Sequence, residues 1–199
     1  MRTVDPDKHR ARRRHIIESA VPLFATKGLD GTTTAEICAA AGMSSGNVFH
    51  YFSSKRDIFQ AVFVEYDDLQ QQVDDALASD DPWEALLGFV GQLAAPAAEP
   101  YVPALVLEAM LQATRDPDLL ATLERQGRDE DTALARLVAR CVDAGEVDPD
   151  LDVEHAASWI NTLVGALFLR AATTEVFDPA VELATLRRLV KRFLGGERS

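Results

Sequence analysis

The chain has 199 residues, 47% apolar and 7% aromatic, with 20 Lys/Arg against 32 Asp/Glu for a net charge of −12. That suits one elongated body, or a small domain joined to a larger one, and abundant Ala and Leu with few β-branched runs favour helices. No stretch is apolar for long enough to span a membrane, the start MRTVDPDKHRARRRH lacks an apolar leader core, and Cys38, Cys141 and four scattered histidines form neither a disulfide framework nor a zinc pattern, so a reduced, cytoplasmic protein without metal or cofactor is expected.

The first predicted helix opens at Asp5-Pro6, with Asp5 as N-cap and Pro6 at the first helical position. Ile16, Ala20, Leu23 and Phe24 fall on one stripe, Lys27-Gly28 closes the helix, and Pro22 inside it predicts a bend. Asp30-Gly31 is a turn. Thr33 to Glu36 fits a capping box and starts a short helix that Gly42 stops. Ser44 caps a second short helix over about 45–51. A longer helix follows over about 54–78, ended by Asp80-Asp81-Pro82. Five more are predicted, over about 82–95, 101–114, 117–143, 152–173 and 179–194, with breaks at Pro96, Pro117, Gly145 to Pro149 and Pro179. Nothing alternates with period two, so the expectation is an all-α fold of about nine helices without a sheet.

The informative stretch is TTAEICAAAGMSSGNVFHYFSSKRD, Thr33 to Asp57. Gly42 permits a sharp corner at positive φ, while Ile37, Ala41, Met43, Val48 and Phe52 can pack the two short helices together. The second helix then exposes Ser45, Asn47, His50 and Tyr51. This is a helix-turn-helix whose second helix fits a major groove. The charge distribution agrees. Residues 1–55 carry eight Lys/Arg against five Asp/Glu, a net of +3, and residues 56–199 carry twelve against twenty-seven, a net of −15. A positive end on an acidic body orients an encounter with phosphate. The run His9 to His15, with Arg12 within it, is a candidate for backbone or minor-groove contact. Lys55 stands at a helix start, where its charge opposes the dipole and serves a partner better than the helix.

From Ile16 through Phe59 the sequence resembles the N-terminal domain of the tetracycline-repressor (TetR) family. The matching positions are Ile17, Ala20, Leu23, Phe24, Gly28, Thr33, Thr34, Ile37, Ala41, Gly42, Ser44, Gly46, Phe52, Ser54, Lys55 and Ile58. The resemblance implies a three-helix, homeodomain-like unit over 1–55. It implies a ligand-binding and dimerisation body over 56–199 and a homodimer on a palindromic double-stranded DNA operator. It also implies a small-molecule effector that releases a repressor; an activator or ligand-independent regulator of the same fold is the alternative. The DNA-facing set is Arg12, Thr33, Thr34, Ser44, Ser45, Gly46, Asn47, His50, Tyr51 and Lys55. Three positions depart from the family: Phe49 stands where a tyrosine is frequent, Ser45 where a lysine is common, and Cys38 where alanine is usual.

In the body, Ala156, Trp159, Ile160, Leu163, Val164, Leu167 and Phe168 leave the 152–173 helix almost no polar face. Leu183, Leu186, Val190 and Phe193 stripe the last helix. With the resemblance, Ile160, Leu163, Leu167, Leu183, Leu186, Val190 and Phe193 are expected in a four-helix dimer interface. Tyr101, Glu108, Met110, His155, Trp159, Asn161 and Phe168 are polar or bulky residues on apolar faces and are candidates to line a pocket for a hydrophobic effector. No nucleophile–base pair or phosphate loop is evident, and His155 and Cys141 lie on separate helices, so an enzyme is not expected.

Overall fold

Capping and helix-breaking residues divide the chain where the sequence places them. The computed structural model describes residues 6–64 and 69–195. Among these, the helices are α1 (Pro6–Gly31), α2 (Thr34–Ala40), α3 (Ser45–Tyr51), α4 (Lys55–Val64), α5 (Leu69–Leu77), α6 (Pro82–Ala94), α7 (Val102–Ala113), α8 (Pro117–Asp143), α9 (Val153–Thr173) and α10 (Pro179–Leu194), with a 3₁₀ turn at Ala95–Ala98. No strand occurs among the described residues. The expected fourth helix corresponds to α4 and α5 together; residues 65–68 within it, like the Asp5 cap, lie outside the described residues. The non-helical backbone inside α1 is at Gly28 (φ 70°, ψ 172°), while the expected bend site, Pro22, lies within the helix.

Two compact units emerge, one of residues 1–67 with 104–120 and the other of 68–103 with 121–199. The first therefore draws in most of α7 and the start of α8, well beyond residue 55. In it α1 packs on α2 and α4, and α2 on α3. Ile16, Ile17, Phe24, Ile37, Val48 and Phe59 are fully buried, and the Phe24 and Phe59 rings meet edge to face at 5.1 Å.

The second unit is built around α6, which packs on α5, α9 and α10. Its core includes Leu86, Phe89, Val90, Leu134, Leu137, Ile160, Leu186 and Val190. Asp81, Asp152 and Asp178 cap α6, α9 and α10 by accepting from backbone N–H groups one turn on, with Pro82 and Pro179 in the first helical turn. Cys38 and Cys141 are both buried free thiols, and burial followed by the charge of Glu146 pushes the Cys141 thiol up to about 12.

Candidate nucleic-acid interface

Local hydrogen bonds set the angle between α2 and α3. The Thr33 N–H donates to Glu36 Oε2 (2.9 Å) while the Glu36 N–H donates to Thr33 Oγ1 (3.3 Å), which completes the capping box. Lys27 Nζ donates to Glu36 Oε1 at 2.5 Å, and this bond, with those from Thr33, holds the Glu36 carboxyl down at about 2. At the other end of α2 the Met43 N–H reaches Cys38 O (3.0 Å) and the Gly42 N–H reaches Ala39 O (3.2 Å). That double closure needs a left-handed residue, and Gly42 supplies it at φ 62°. Ser44 Oγ then accepts from the Asn47 N–H at 3.3 Å and opens α3.

The outcome is a seven-residue helix with Val48 fully buried and Ser44, Ser45, Gly46, Asn47, Phe49 and His50 exposed. Short hydrogen-bonding side chains with free approach are the chemistry that reads base edges. Phe49, 47% exposed, adds an apolar face where the resemblance has a tyrosine hydroxyl. Thr33 is exposed at the cap, Thr34 is half-buried at the first turn of α2, and Arg12 is exposed on α1. Tyr51 is half-buried between two imidazoles, 4.9 Å from His9 and 5.1 Å from His50 between ring centroids.

Lys55 differs from the sequence reading. Its ammonium donates to Thr32 O (2.6 Å) and Asp30 O (3.2 Å), so it ties the start of α4 to the turn after α1 rather than standing open to a phosphate. The arm His9 to His15 on α1, one charge run by sequence, is divided by the fold. Arg13 instead donates to Tyr51 O (2.7 Å) and lies 4.1 Å over the Phe52 ring, and His15 Nε2 is 2.9 Å from Ala41 O. The i, i+4 spacing of His9 and Arg13 is the signal that could have found this face.

Residues 104–120 join the first unit through two acidic groups, the half-buried Glu108 and the buried Asp116. The Leu29 N–H, beside the Gly28 corner, donates to Glu108 Oε1 at 2.7 Å. Arg56 grips Asp116 with both Nε (2.6 Å) and Nη2, Gln60 adds a bond of 3.3 Å, and the Leu119 N–H donates to Asp116 Oδ1 at 3.0 Å. Asp116 is 6% exposed, and the guanidinium beside it holds its carboxyl below the usual carboxylate range.

The pocket and interface sets are partly rearranged. Glu108 and Met110 belong to the first unit and the other five pocket candidates to the second. Glu108 also accepts from Gln112 (2.9 Å), Asn161 donates to Asp131 (2.9 Å), and Trp159 Nε1 donates to His155 Nε2 (3.0 Å) on the surface of α9. Tyr101 and Met110 are exposed and Phe168 packs on the core. A cavity of about 290 Å³ in the second unit is lined instead by Ala94, Ala97, Leu167, Phe177, Pro179 and Leu183, among others, and by none of the seven. Of the expected interface residues, Ile160, Leu186 and Val190 are fully or almost fully buried within the protomer, Leu167 is 6% exposed, and Leu163 and Leu183 are half-buried; only Phe193, at 41%, is openly exposed. Ile160, Leu167, Leu186 and Val190 face the protomer's own core. The exposed apolar side chains on these helices are Trp159, Leu169, Val181, Leu189 and Phe193.

Residues 16–62 match the bacterial regulatory proteins of the tetR family, and residues 78–193 match the tetracyclin repressor-like C-terminal domain. The chain is similar to the HTH-type transcriptional repressor Rv1474c of Mycobacterium tuberculosis, with 29% identity over 96% of this chain and 97% of that protein. It is similar to the HTH-type transcriptional repressor KstR2 of Mycolicibacterium smegmatis, with 29% identity over 78% of this chain and 77% of that protein. Among solved structures it resembles the transcriptional regulator FadR of Bacillus subtilis in complex with stearoyl-CoA, at 19% identity and a TM-score of 0.77, covering 91% of this chain and 98% of that one.

Proposed function

The chain belongs to the tetR family of bacterial regulatory proteins, and on that premise we propose that it is a transcriptional repressor that binds a palindromic operator as a homodimer and is released by a small hydrophobic effector. The observation that carries this reading is α3: Val48 is packed away while Ser44, Ser45, Gly46, Asn47 and His50 stand open on one short helix. The N-terminal residues of such a helix read base edges from the major groove, and a twofold dimer reads two half-sites about 34 Å apart. Three arginines of α1, Arg10, Arg12 and Arg14, are exposed on the same unit and supply charge for the backbone.

The dimer contact we propose is the exposed apolar stripe of α9 and α10, with Trp159, Leu169, Leu189 and Phe193 at its centre. Five large apolar side chains on two adjacent helices form a patch that a second protomer would cover. The effector acts as a differential ligand for two arrangements of the dimer. Its signal has three covalent routes between the units. One is the α4–α5 segment, a second is α8, which begins in the first unit and continues in the second, and a third is the start of α7 at residues 103–104. Glu108 and Asp116 tie residues 104–120 to the DNA-reading helices, which supports the second route. No helix among the described residues is long and apolar enough to cross a membrane, and no cluster of metal-binding side chains occurs among them.

The test is selection of a duplex from a randomised pool by the full-length protein, followed by titration of that duplex and a scrambled control. Asn47→Ala is expected to weaken the selected duplex by about tenfold or more with unchanged melting. Equal binding of both duplexes by the wild type would overturn the reading.

A further inference from the structure

We propose that Arg13 is a positioning residue for sequence reading, holding α3 at its angle from behind, and that the basic run on α1 is therefore two functional sets rather than one. This rests on the DNA-binding reading above. A helix of seven residues has few internal bonds, and its last carbonyls have no helical partner. In α3 the final carbonyl, Tyr51 O, accepts from Arg13 Nη1 at 2.7 Å, and the guanidinium plane lies 4.1 Å from the centre of the Phe52 ring. Phe52 is 3% exposed, so it is a fixed floor for that guanidinium. One turn earlier on α1, the His9 ring meets the Tyr51 ring at a tilt of 49°, 4.9 Å between centroids. Two residues later, His15 Nε2 meets Ala41 O, the C-cap carbonyl of α2, at 2.9 Å. One stretch of α1 thus engages the C-terminal ends of both helix-turn-helix helices.

The ends that face bases are the opposite ones, at Ser44 to Asn47. Fixing the far end of a rigid seven-residue rod sets the direction of the near end. A cation at a helix C-terminus is favoured by the dipole, and a planar guanidinium can donate to a carbonyl while lying on a ring. A lysine ammonium can supply the charge but not that combined geometry. Arg10, Arg12 and Arg14 are exposed on the same helix, and Arg10 pairs with Asp7 one turn before it.

The two roles separate by salt dependence. A residue that contacts phosphate contributes about 0.9 to the slope of log affinity against log salt, whereas a positioning residue contributes to the ratio between cognate and random sequence. The probes are the duplex selected by the wild-type full-length protein and its scrambled control, each titrated at several salt concentrations. Arg13→Met and Arg13→Lys are both expected to lower the selected-to-scrambled ratio by about tenfold with the slope unchanged, and Arg12→Ala to lower the slope by about 0.9 with the ratio kept. Arg13→Lys retains charge and stem, so it reads the geometry even where Arg13→Met unfolds. A ratio restored by lysine, a ratio unaffected by methionine in a folded protein, or a slope reduced by about 0.9 in Arg13→Met would each overturn the proposal. Failure of the wild type to select any duplex would remove the DNA-binding reading itself and is visible before any variant is made.

Discussion

The two units are held by different kinds of force. In the first, charged and polar side chains close backbone ends: Arg13 on Tyr51 O, Lys55 on Thr32 O, Thr33 and Glu36 on each other, Glu108 on the Leu29 N–H, and Asp116 under Arg56. In the second, one apolar cluster runs from Val73 to Leu194, and besides the Asp81, Asp152 and Asp178 caps its polar ties include Arg140 to the carbonyls of Ala76 and Ser79, Asn161 to Asp131 and Arg170 to Glu182. Hydrogen bonds are directional and burial is not. The unit that sets the angle between α2 and α3 is therefore tied largely by geometry, and the unit built around α6 is held largely by area.

The strongest way to break this contrast is in the apolar core. Leu137→Ala, at a fully buried position, is expected to cost about 2–5 kcal/mol in urea unfolding. A loss near zero would show that the second unit does not rest on packing. Next is the polar clamp. Arg56→Ala leaves the carboxylate of Asp116 with fewer partners and is expected to lower the urea midpoint by less than Leu137→Ala does. Asp116 has a lowered pKa, so its contribution is complete above the ordinary carboxylate value of about 4 and disappears as pH falls below it. Glu36 and Asp57, held down chiefly by Lys27 and Ser53, act in the same direction. Hydrogen exchange through that acid window should therefore show the first unit opening before the second, in which the bond from Arg170 lowers its pair partner Glu182. Arg56→Ala should shrink that difference.

Smaller effects sharpen the comparison at its edges. Leu189→Lys, on the exposed stripe of α10, is expected to weaken self-association by about tenfold or more in sedimentation while leaving the protomer folded. An unchanged sedimentation coefficient would place the dimer contact elsewhere. Thr33→Ala removes one cap and should cost about 1 kcal/mol, felt in the first unit alone.

The caps were legible in the sequence because each is a conversation between neighbours. Thr33 with Glu36 and Ser44 with Asn47 lie within one turn, where bond geometry leaves a single arrangement. Gly42 could be read for the same reason, since only its backbone turns that corner without strain. The face of α9 could not. Its residues are apolar nearly all round, so periodicity gives no preference between Ile160, which the fold buries, and Trp159, which it leaves half exposed. On α10 the stripe marks Leu186 and Val190 for burial without saying by which chain, and the fold buries both within the protomer.

The sequence by itself determined the order and ends of the helices, the helix-turn-helix and the residues on its outer ridge, because these follow from contacts a few residues apart. Tertiary structure alone decided where Lys55 and Arg13 direct their charges and which residues beyond 100 join the DNA-reading unit. Those partners lie 23 to 79 positions away along the chain, and only the folded path brings them within hydrogen-bonding distance.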